Sequence, residues 1–544
     1  MLHPTRRVTA TLFPLIVSGL TMAAPALRAQ GSPDSALLTR PESTDFRETS
    51  RHADVLAFLK TAAARAPEML HLGTFGYSLE GRPLPLAVWG RVADASPEAV
   101  LASGKTRILV QANIHAGEVE GKEASLILLR ALVAGEHREW ADSLVLLFIP
   151  IYNADGNERI GLLNRPHQHG PVGGMGERTN AQGLDLNRDH TKVDSPEARA
   201  LLGVLNRYDP HVGVDLHTTN GTYHAYHLTY SPPLHPNTHP GIVQTLRGDW
   251  LPEVTRELRE QDGWETYYYG NVPSAESLWA AAEGAPRGWY TFDHRPRFNN
   301  NYLGLRNRFA ILSEAYAYLT FAERIRTTRR FVEEVLDWAH GHAIVIRRAT
   351  AEADATRVVG ERLALSARPV NSGPVEILMG AVTEEKNPYS GAVMMRRLDV
   401  RRPERMPEFG SFEAVETARA PRAYLVPAAL TGVLDRLEAH GVRMRVLQRP
   451  TPLRVEEFVI DSTRVAERPF QGHRERTLSG RYLAAERTLP AGTRVAEVDQ
   501  PLGRLVFTLL EPRSDDGFLN WGLLDEALEG ATVYPVTRTQ EPVP

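Results

Sequence analysis

The sequence predicts an α/β fold, a mixed, mostly parallel sheet with helices on both faces, followed by a C-terminal region of mixed or mainly β structure. Two observations predict the first part: short apolar runs typical of strands buried on both faces, and helical segments between them. The third observation is a change of texture near Val345, after which short β-like runs predominate.

The predicted elements of the first part alternate along the chain. Buried strands are expected at residues 107–114, 144–151, 211–216 and 308–313. Helices are expected at residues 52–66, 119–133, 195–208 and 321–340. In the third helix Pro196 falls in the first turn, where proline is well tolerated.

The C-terminal region has a different pattern. We expect strands at residues 375–379, 423–426, 442–447 and 504–510, and one helix at residues 428–439. No internal repeat of fixed period is visible.

Length, composition and net charge limit the classes of protein to which this chain can belong. A length of 544 residues exceeds one ordinary domain, so two or three are expected. With 42% hydrophobic and 24% charged residues the chain is typical of a soluble globular protein. General nucleic-acid binders have a basic face, and nothing in a chain of net charge −4 suggests one. We therefore expect no nucleic-acid partner.

The N-terminus resembles an export signal. Arg6 and Arg7 precede an uncharged, apolar and small-residue stretch at 8–24, and small-residue cleavage sites follow it. We expect residues 1–29 to be a signal peptide, which places the mature protein outside the cell or in the periplasm. Its removal takes away three arginines and no acidic residue, which changes the net charge from −4 to −7. The alternative, a membrane anchor, is disfavoured by the short stretch and its proline.

The chain contains no cysteine. It therefore has no disulfide, thiolate ligand or cysteine nucleophile. Any metal must be bound by His, Asp or Glu, a donor set that suits zinc or a harder divalent ion.

Three predicted strands end in groups that could bind a metal or move a proton. His115 and Glu118 follow the first of these strands, His217 ends another, and Glu314 ends a third. Ligands of open parallel sheets lie beyond the carboxyl ends of the strands. Two histidines and a carboxylate there make a three-ligand zinc site with an open fourth position, and Glu314 could exchange a proton with water.

A polar loop at residues 178–188 supplies further candidates. Arg178 and Arg188 carry fixed positive charge suited to an oxyanion or a substrate carboxylate, and Asn187 could assist Arg188. Asp185 could accept a proton from the distal nitrogen of a ligand histidine.

The ordered motifs resemble the M14 family of zinc carboxypeptidases. They are Gly76-Tyr-Ser-Leu-Glu-Gly-Arg-Pro83, His115-x-x-Glu118, Asn153-Ala-Asp-Gly156, Gly183-Leu-Asp-Leu-Asn-Arg188, Asp215-Leu-His217 and Glu314. The resemblance covers roughly residues 45–340 and implies a zinc carboxypeptidase-like fold for that part.

The resemblance implies a role for each metal-site residue. One zinc ion would be held by His115, Glu118 and His217. Glu314 would serve as general base and acid, and Asp185 would orient His115.

The resemblance also implies how substrate is held. Arg178 would stabilise the oxyanion, and Asn187 and Arg188 would anchor the terminal carboxylate. A mobile substrate-binding tyrosine precedes the glutamate in this family. Tyr290 is the first candidate here, and Tyr302 is the second.

We therefore expect a secreted metallocarboxypeptidase whose partners are peptides or proteins. Three alternatives remain: a cell-wall peptidase that cleaves peptidoglycan stem peptides, an M14-like deacylase, and a non-catalytic peptide-binding protein. Residues 30–345 would form the peptidase domain. Residues 346–544 would form an accessory domain, which either serves attachment or substrate binding, or packs against the peptidase domain as a structural support.

Overall fold

The computed structural model describes Met1, residues 37–273 and residues 286–544. Apart from Met1, the predicted signal peptide lies outside the described residues. The strands are β1 (Leu70–Tyr77), β2 (Pro83–Trp89), β3 (Thr106–Ala112), β4 (Leu144–Ile149), β5 (Val212–Thr219), β6 (Leu228–Ser231), β7 (Thr266–Tyr268), β8 (Trp289–Tyr290), β9 (Phe309–Tyr316), β10 (Arg362–Val370), β11 (Pro374–Lys386), β12 (Val393–Phe409), β13 (Ser411–Arg419), β14 (Ala423–Val426), β15 (Met444–Val446), β16 (Thr451–Val465), β17 (Arg476–Leu489), β18 (Arg494–Glu497) and β19 (Thr537–Thr539).

The helices are α1 (Arg40–Ser43), α2 (His52–Arg65), α3 (Pro97–Ala102), α4 (Glu120–Val133), α5 (Ala154–Glu158), α6 (Pro196–Tyr208), α7 (Pro240–Thr245), α8 (Leu251–Asp262), α9 (Asn299–Leu305), α10 (Phe321–Gly341), α11 (Ala343–Ala355), α12 (Thr431–Ala439) and α13 (Gly503–Leu510). A short 3-10 helix covers Leu186–Arg188. Within the described ranges, no helix has the length and apolar character that a bilayer span requires.

Eight strands form one mixed sheet in the order β1-β2-β4-β3-β5-β9-β6-β7. The parallel pairs are β3–β4, β3–β5, β5–β9 and β6–β7. The antiparallel pairs are β1–β2, β2–β4 and β6–β9. Strands β3, β4 and β5 are buried along their whole length, as expected for strands that are covered on both faces.

Helices α4 and α9 cover opposite faces of this sheet. A Cβ atom at Gly121 of α4 would lie 2.6 Å from Cβ of Leu216 on β5. A Cβ atom at Gly213 of β5 would lie 2.4 Å from Cδ1 of Leu303 on α9. Gly213 and Leu216 are an odd number of residues apart on one strand, so they point to opposite faces. The predicted arrangement, with helices on both faces of a mixed sheet, is confirmed.

The region after residue 345 is mainly β, as predicted. Strands β15-β18-β14-β19-β16-β17 form a six-stranded sheet, and β10 pairs with β13. Strands β11, β12 and β8 form a third sheet, in which β8 runs parallel to β12. A strand from before residue 345 is therefore part of a sheet built after it.

The predicted strand at residues 504–510 is wrong, because this segment is helix α13. Its sequence, Gly503-Arg-Leu-Val-Phe-Thr-Leu-Leu510, is mostly apolar with Arg504 and Thr508 as its polar side chains, and all eight residues are buried. A short, mostly apolar run is compatible with a buried strand as well as with a buried helix, and the strand was the wrong choice here.

The close contact at Gly121 allows a test of the packing between α4 and β5. We expect Gly121→Ala to lower the free energy of unfolding by about 1–3 kcal/mol, because the added methyl group overpacks the helix against the strand. Chemical denaturation would measure the change.

Gly203→Ala on α6 is the matched control. The nearest atom to its added Cβ is the flexible end of Arg207 at 3.8 Å. Removing a glycine from an open helical position should leave stability unchanged or raise it by up to about 1 kcal/mol. Equal effects of the two substitutions would contradict the packing argument.

Candidate active site

The parallel pairing of β3, β5 and β9 brings predicted site residues to one edge of the sheet. Ala112 of β3 is paired with Leu216 of β5, and His217 of β5 is paired with Glu314 of β9. His115 follows β3 after two intervening residues. These side chains therefore meet at the carboxyl ends of the strands.

The turn between β3 and α4 positions His115 and Glu118. Asn113 has a left-handed backbone with φ of 65°, a conformation that asparagine adopts more readily than most residues. Its side-chain amide donates to the carbonyl oxygens of Ala116 at 3.4 Å and Glu118 at 3.5 Å. The N–H of Glu118 donates to the carbonyl oxygen of His115 at 2.9 Å. Both candidate ligands are thus held on one closed turn.

His115, Glu118 and His217 form a buried group of potential metal ligands. One ligand atom from each lies within 4.8 Å of the others. Nδ1 of His115 is 3.1 Å from Oε1 of Glu118, and Nδ1 of His217 is 2.9 Å from Oε2 of Glu118. The carboxylate therefore lies between two inward-facing imidazole nitrogens.

A buried carboxylate holds the distal nitrogen of each imidazole. Nε2–H of His115 donates to Oδ1 of Asp185 at 3.0 Å, and Nε2–H of His217 donates to Oδ2 of Asp215 at 2.9 Å. These bonds leave the lone pair on Nδ1, where a metal would bind. Asp215 was assigned no role from the sequence, although its spacing from His217 indicates one, because alternate residues of a strand point to the same face.

The surroundings of this group favour positive charge. Burial lowers the pKa of His217, but Asp215, by its charge and hydrogen bond, and Glu118 raise it well above its usual value. Burial raises the pKa of Glu118, but His115 and Arg165 together lower it well below its usual value. An ionised ligand carboxylate and a cation-stabilising environment are what a metal ion requires.

The donor set of this group fits a divalent metal. Two imidazoles and one carboxylate are a common ligand set of catalytic zinc sites, which keep a fourth position open. The carboxylates behind both imidazoles are the partners that such ligands usually have. His115, Glu118 and His217 could therefore hold a metal ion.

Glu314 is the next ionisable group at this edge. Burial raises the pKa of its carboxyl to about 8; His217 lowers it, Glu118 raises it, and Arg165 and Arg178 lower it. A carboxyl group whose pKa lies near neutrality can both accept and donate a proton.

Asp185 connects the candidate metal ligands to the arginines. Its Oδ2 accepts hydrogen bonds from Nε of Arg178 at 3.1 Å and from Nη2 at 2.9 Å. The same oxygen lies 3.7 Å from Nη1 of Arg188. Burial raises the pKa of Asp185, but the charges of His115, Arg178 and Arg188 lower it well below its usual value. Asp185 is thus a permanent anion at the centre of the site.

Asn187 and Arg188 lie next to the start of α9. Oδ1 of Asn187 accepts the N–H of Asn299 at 2.9 Å. The guanidinium of Arg188 lies over the ring of Phe298, 4.0 Å from its centroid. Burial lowers the pKa of Arg188 to about 10, so it stays charged at neutral pH. The pair offers amide and guanidinium donors of the kind that a carboxylate accepts.

These groups line one cavity of about 500 Å³. This volume is in the range of small-ligand sites. The predicted residues that line it are His115, Glu118, Arg178, Asp185, Asn187, Arg188, His217 and Glu314.

Four further lining residues were not assigned to the site from the sequence. Arg165 donates from Nη1 to Oε1 of Glu118 at 2.9 Å. Tyr269 follows β7 directly, and Phe470 and Gln471 belong to the loop between β16 and β17. None of them stands in a motif, and only the fold brings them to the cavity.

The two candidate substrate-binding tyrosines are positioned differently. Tyr290 stacks on Phe409 with 4.2 Å between the ring centroids, and its hydroxyl donates to a backbone carbonyl at 3.1 Å. Tyr302 is buried, and its hydroxyl lies 2.7 Å from Nδ1 of His440. Among the described residues Tyr269 lines the cavity, whereas Tyr290 and Tyr302 do not. A substrate role for Tyr290 stays a prediction.

Comparison with known proteins gives a consistent family assignment. Residues 55–328 match the family model Peptidase_M14, described as zinc carboxypeptidase. Carboxypeptidase 2 of Trichophyton tonsurans is 23% identical over 562 aligned positions, which cover 99% of this chain and 94% of the relative. Carboxypeptidase D of Homo sapiens is 30% identical over 182 positions, which cover 28% of this chain and 13% of the relative.

Solved structures of carboxypeptidases are also similar to this chain. A metallo-carboxypeptidase from Burkholderia cenocepacia has a TM-score of 0.39 and 15% identity, and the match covers 54% of this chain and 70% of that one. Carboxypeptidase A from Helicoverpa armigera has a TM-score of 0.39 and 16% identity, with coverage of 57% and 75%.

The bond from His217 to Asp215 predicts a measurable effect on metal binding. We expect Asp215→Asn to weaken metal affinity by about 10- to 100-fold, because the imidazole loses the carboxylate that fixes its tautomer. Competition between the purified protein and a chromogenic chelator would measure the affinity. Asp435→Asn, on the exposed surface of α12, is the control and should leave the affinity unchanged; equal affinities for both variants would contradict the role of Asp215.

Proposed function

The chain belongs to the M14 family of zinc carboxypeptidases, and from that premise we propose that it is an exported zinc enzyme that hydrolyses the C-terminal peptide bond of peptides. Export rests on the predicted signal peptide at residues 1–29. The activity rests on one observation above all: a single cavity is lined by the His115, Glu118 and His217 group that could hold a metal, by Glu314, and by Asn187 and Arg188.

The first step of the proposed reaction needs a metal and a base. His115, Glu118 and His217 would hold a zinc ion, which would supply polarisation of the scissile carbonyl and a lower pKa for water. Glu314 accepts the proton of the attacking water and passes it to the leaving amine. Glu314 is paired with His217 across β5 and β9, so its carboxylate lies beside the candidate metal site.

Arg178 is proposed to stabilise the developing oxyanion. One side of its guanidinium is held by Asp185 at 2.9 Å. Its side chain is 41% exposed while that of Asp185 is 8% exposed, so part of the guanidinium remains accessible from the cavity. A fixed donor that is already oriented stabilises charge without reorganisation in the transition state.

Asn187 and Arg188 are proposed to bind the terminal carboxylate of the substrate. Oδ1 of Asn187 is occupied by the N–H of Asn299, and this fixes the orientation of its amide group. Arg188 is restrained by Phe298 and held near Asp185. Recognition of a free carboxylate supports cleavage of the last peptide bond, and it weighs against a deacylase.

The remaining lining favours an apolar side chain at the end of the substrate. Tyr269, Phe292, Phe298 and Leu312 form one apolar cluster and line the cavity. The acidic residues of the described lining all have partners or proposed roles; they are Glu118, Asp185 and Glu314. Within the described part of the chain, no lining carboxylate is therefore left to select a terminal lysine or arginine.

Digestion of a mixed peptide library by the purified mature protein tests this proposal. We expect release of single C-terminal residues, with apolar and aromatic residues released faster than basic ones, and full loss of release with a chelator. Mass spectrometry of the shortened peptides would identify each product. Internal cleavage, or cleavage of peptidoglycan stem peptides alone, would contradict it.

The Glu314→Gln variant supplies the mechanistic arm of the same experiment. Loss of the proton-transfer group should lower kcat by about 100-fold or more while the metal content is unchanged. Glu497→Gln on β18 is the control and should retain full activity. A Glu314→Gln protein as active as the wild type would exclude the assigned role.

The role of Arg188 predicts a loss of selectivity for the substrate's terminus. We expect Arg188→Met to lower kcat/KM for peptides with a free carboxylate by about 10- to 100-fold, since charge-assisted hydrogen bonds contribute roughly 1.5–3 kcal/mol. Rates on matched peptides with an amidated C-terminus should change little. Equal losses on both substrates would show that Arg188 does not bind the carboxylate. Arg256→Met, at an exposed position of α8, is the control.

A further inference from the structure

We infer that the C-terminal region is part of the catalytic unit: the tip of the β16–β17 hairpin forms one wall of the substrate cavity. In this assignment Phe470 contacts the substrate and Gln471 is a positioning residue that acts through Asp185. The inference rests on the proposed function and extends it to a region that has no catalytic motif of its own.

The tip has a defined backbone geometry. The N–H of Phe470 donates to the carbonyl oxygen of His473 at 2.7 Å, and the N–H of His473 donates back at 3.0 Å. Between them, Gln471 has φ of 50° and Gly472 has φ of 82°. Two left-handed residues inside such a pair are typical of a tight two-residue hairpin turn. The turn therefore fixes the backbone at Phe470 and Gln471.

Contacts with the peptidase part anchor the tip. The guanidinium of Arg297 lies 5.4 Å from the ring centroid of Phe470 and 4.5 Å from that of Trp521. The same guanidinium donates to Oε1 of Glu475 at 2.9 Å. Nε2 of His473 lies 2.6 Å from Oδ2 of Asp194. Ionic and aromatic contacts on both sides of the turn hold it against the cavity.

Gln471 contacts Asp185, the residue that links the candidate metal ligands to the arginines. Its Oε1 accepts the backbone N–H of Asp185 at 2.7 Å. The carboxylate of Asp185 holds Nε2 of His115 at 3.0 Å and Nη2 of Arg178 at 2.9 Å. One hydrogen bond from the C-terminal region thus fixes the backbone that carries the partner of both groups. A change at Gln471 should reach the candidate metal site through this backbone.

Phe470 is placed to contact the substrate directly. It lines the cavity, yet 39% of its surface is exposed. One part of the ring packs near Trp521, with 6.1 Å between the ring centroids. The exposed part adds an aromatic surface to a cavity whose other apolar residues come from the peptidase part. An exposed aromatic ring at a cavity wall is suited to bury a substrate side chain.

Kinetics of the full-length protein test the role of Phe470. We expect Phe470→Ala to raise KM for peptide substrates by about 5- to 20-fold and to change kcat by less than about 2-fold. The reason is that the lost apolar surface contributes to substrate binding and not to the chemical step. Tyr389→Ala, an exposed aromatic at the tip of the β11–β12 hairpin, is the matched control. Phe470→Leu keeps much of the apolar surface and should give an intermediate KM.

Metal affinity tests the role of Gln471 without any substrate. Gln471→Met keeps the length of the side chain and removes the acceptor, and we expect about 3- to 10-fold weaker zinc binding in chelator competition. Gln471→Glu keeps an acceptor oxygen and should restore the affinity. Gln448→Ala, elsewhere on the surface of the C-terminal region, should have no effect. Thermal unfolding of each variant separates these effects from loss of the fold.

Opposite results would overturn the inference. Unchanged KM in Phe470→Ala together with unchanged zinc affinity in Gln471→Met would show that the tip is only a structural support. If the wild-type protein binds zinc but releases no C-terminal residues, the proposed function fails instead. The zinc measurements on Gln471 remain decisive in that case, because they use no substrate.

Discussion

The site depends on the register of three parallel strands, β3, β5 and β9. This register places His217 beside Glu314 and brings His115 to the same edge. A shift of one residue would turn each strand's side chains to the other face of the sheet. Helices α4 and α9 pack closely on opposite faces of β5, at Gly121 and at Gly213. This close packing on both faces helps to hold β5 in its register.

Buried charge is the second feature that defines the site, and it is tolerated because each charge is partnered. Glu118 lies between two imidazoles and also accepts from Arg165. Asp185 accepts from an imidazole, a guanidinium and a backbone N–H. Buried ionic networks cost desolvation energy and are seldom the most stable choice for a core. The network at this sheet edge fits the chemistry proposed for the site.

The cavity extends beyond the sheet that carries its metal ligands. Strand β8 pairs with β12, so the two parts of the chain share a sheet close to the site. Gln471 then reaches Asp185 from the β16–β17 hairpin. The change of sequence texture near residue 345 does not mark the edge of the cavity.

The sequence by itself determined the central strands, the helices between them and the placement of His115, Glu118, His217 and Glu314 at one sheet edge, because periodicity and strand-end placement are local properties that a motif can record. The helix at residues 503–510 was not recognised, because a short, mostly apolar run is compatible with a buried strand as well as with a buried helix. Only the tertiary structure decided that Arg165, Tyr269 and the tip of the β16–β17 hairpin would line the cavity. They lie in loops, and a loop residue's partners depend on long-range packing that leaves no pattern in the residues around it.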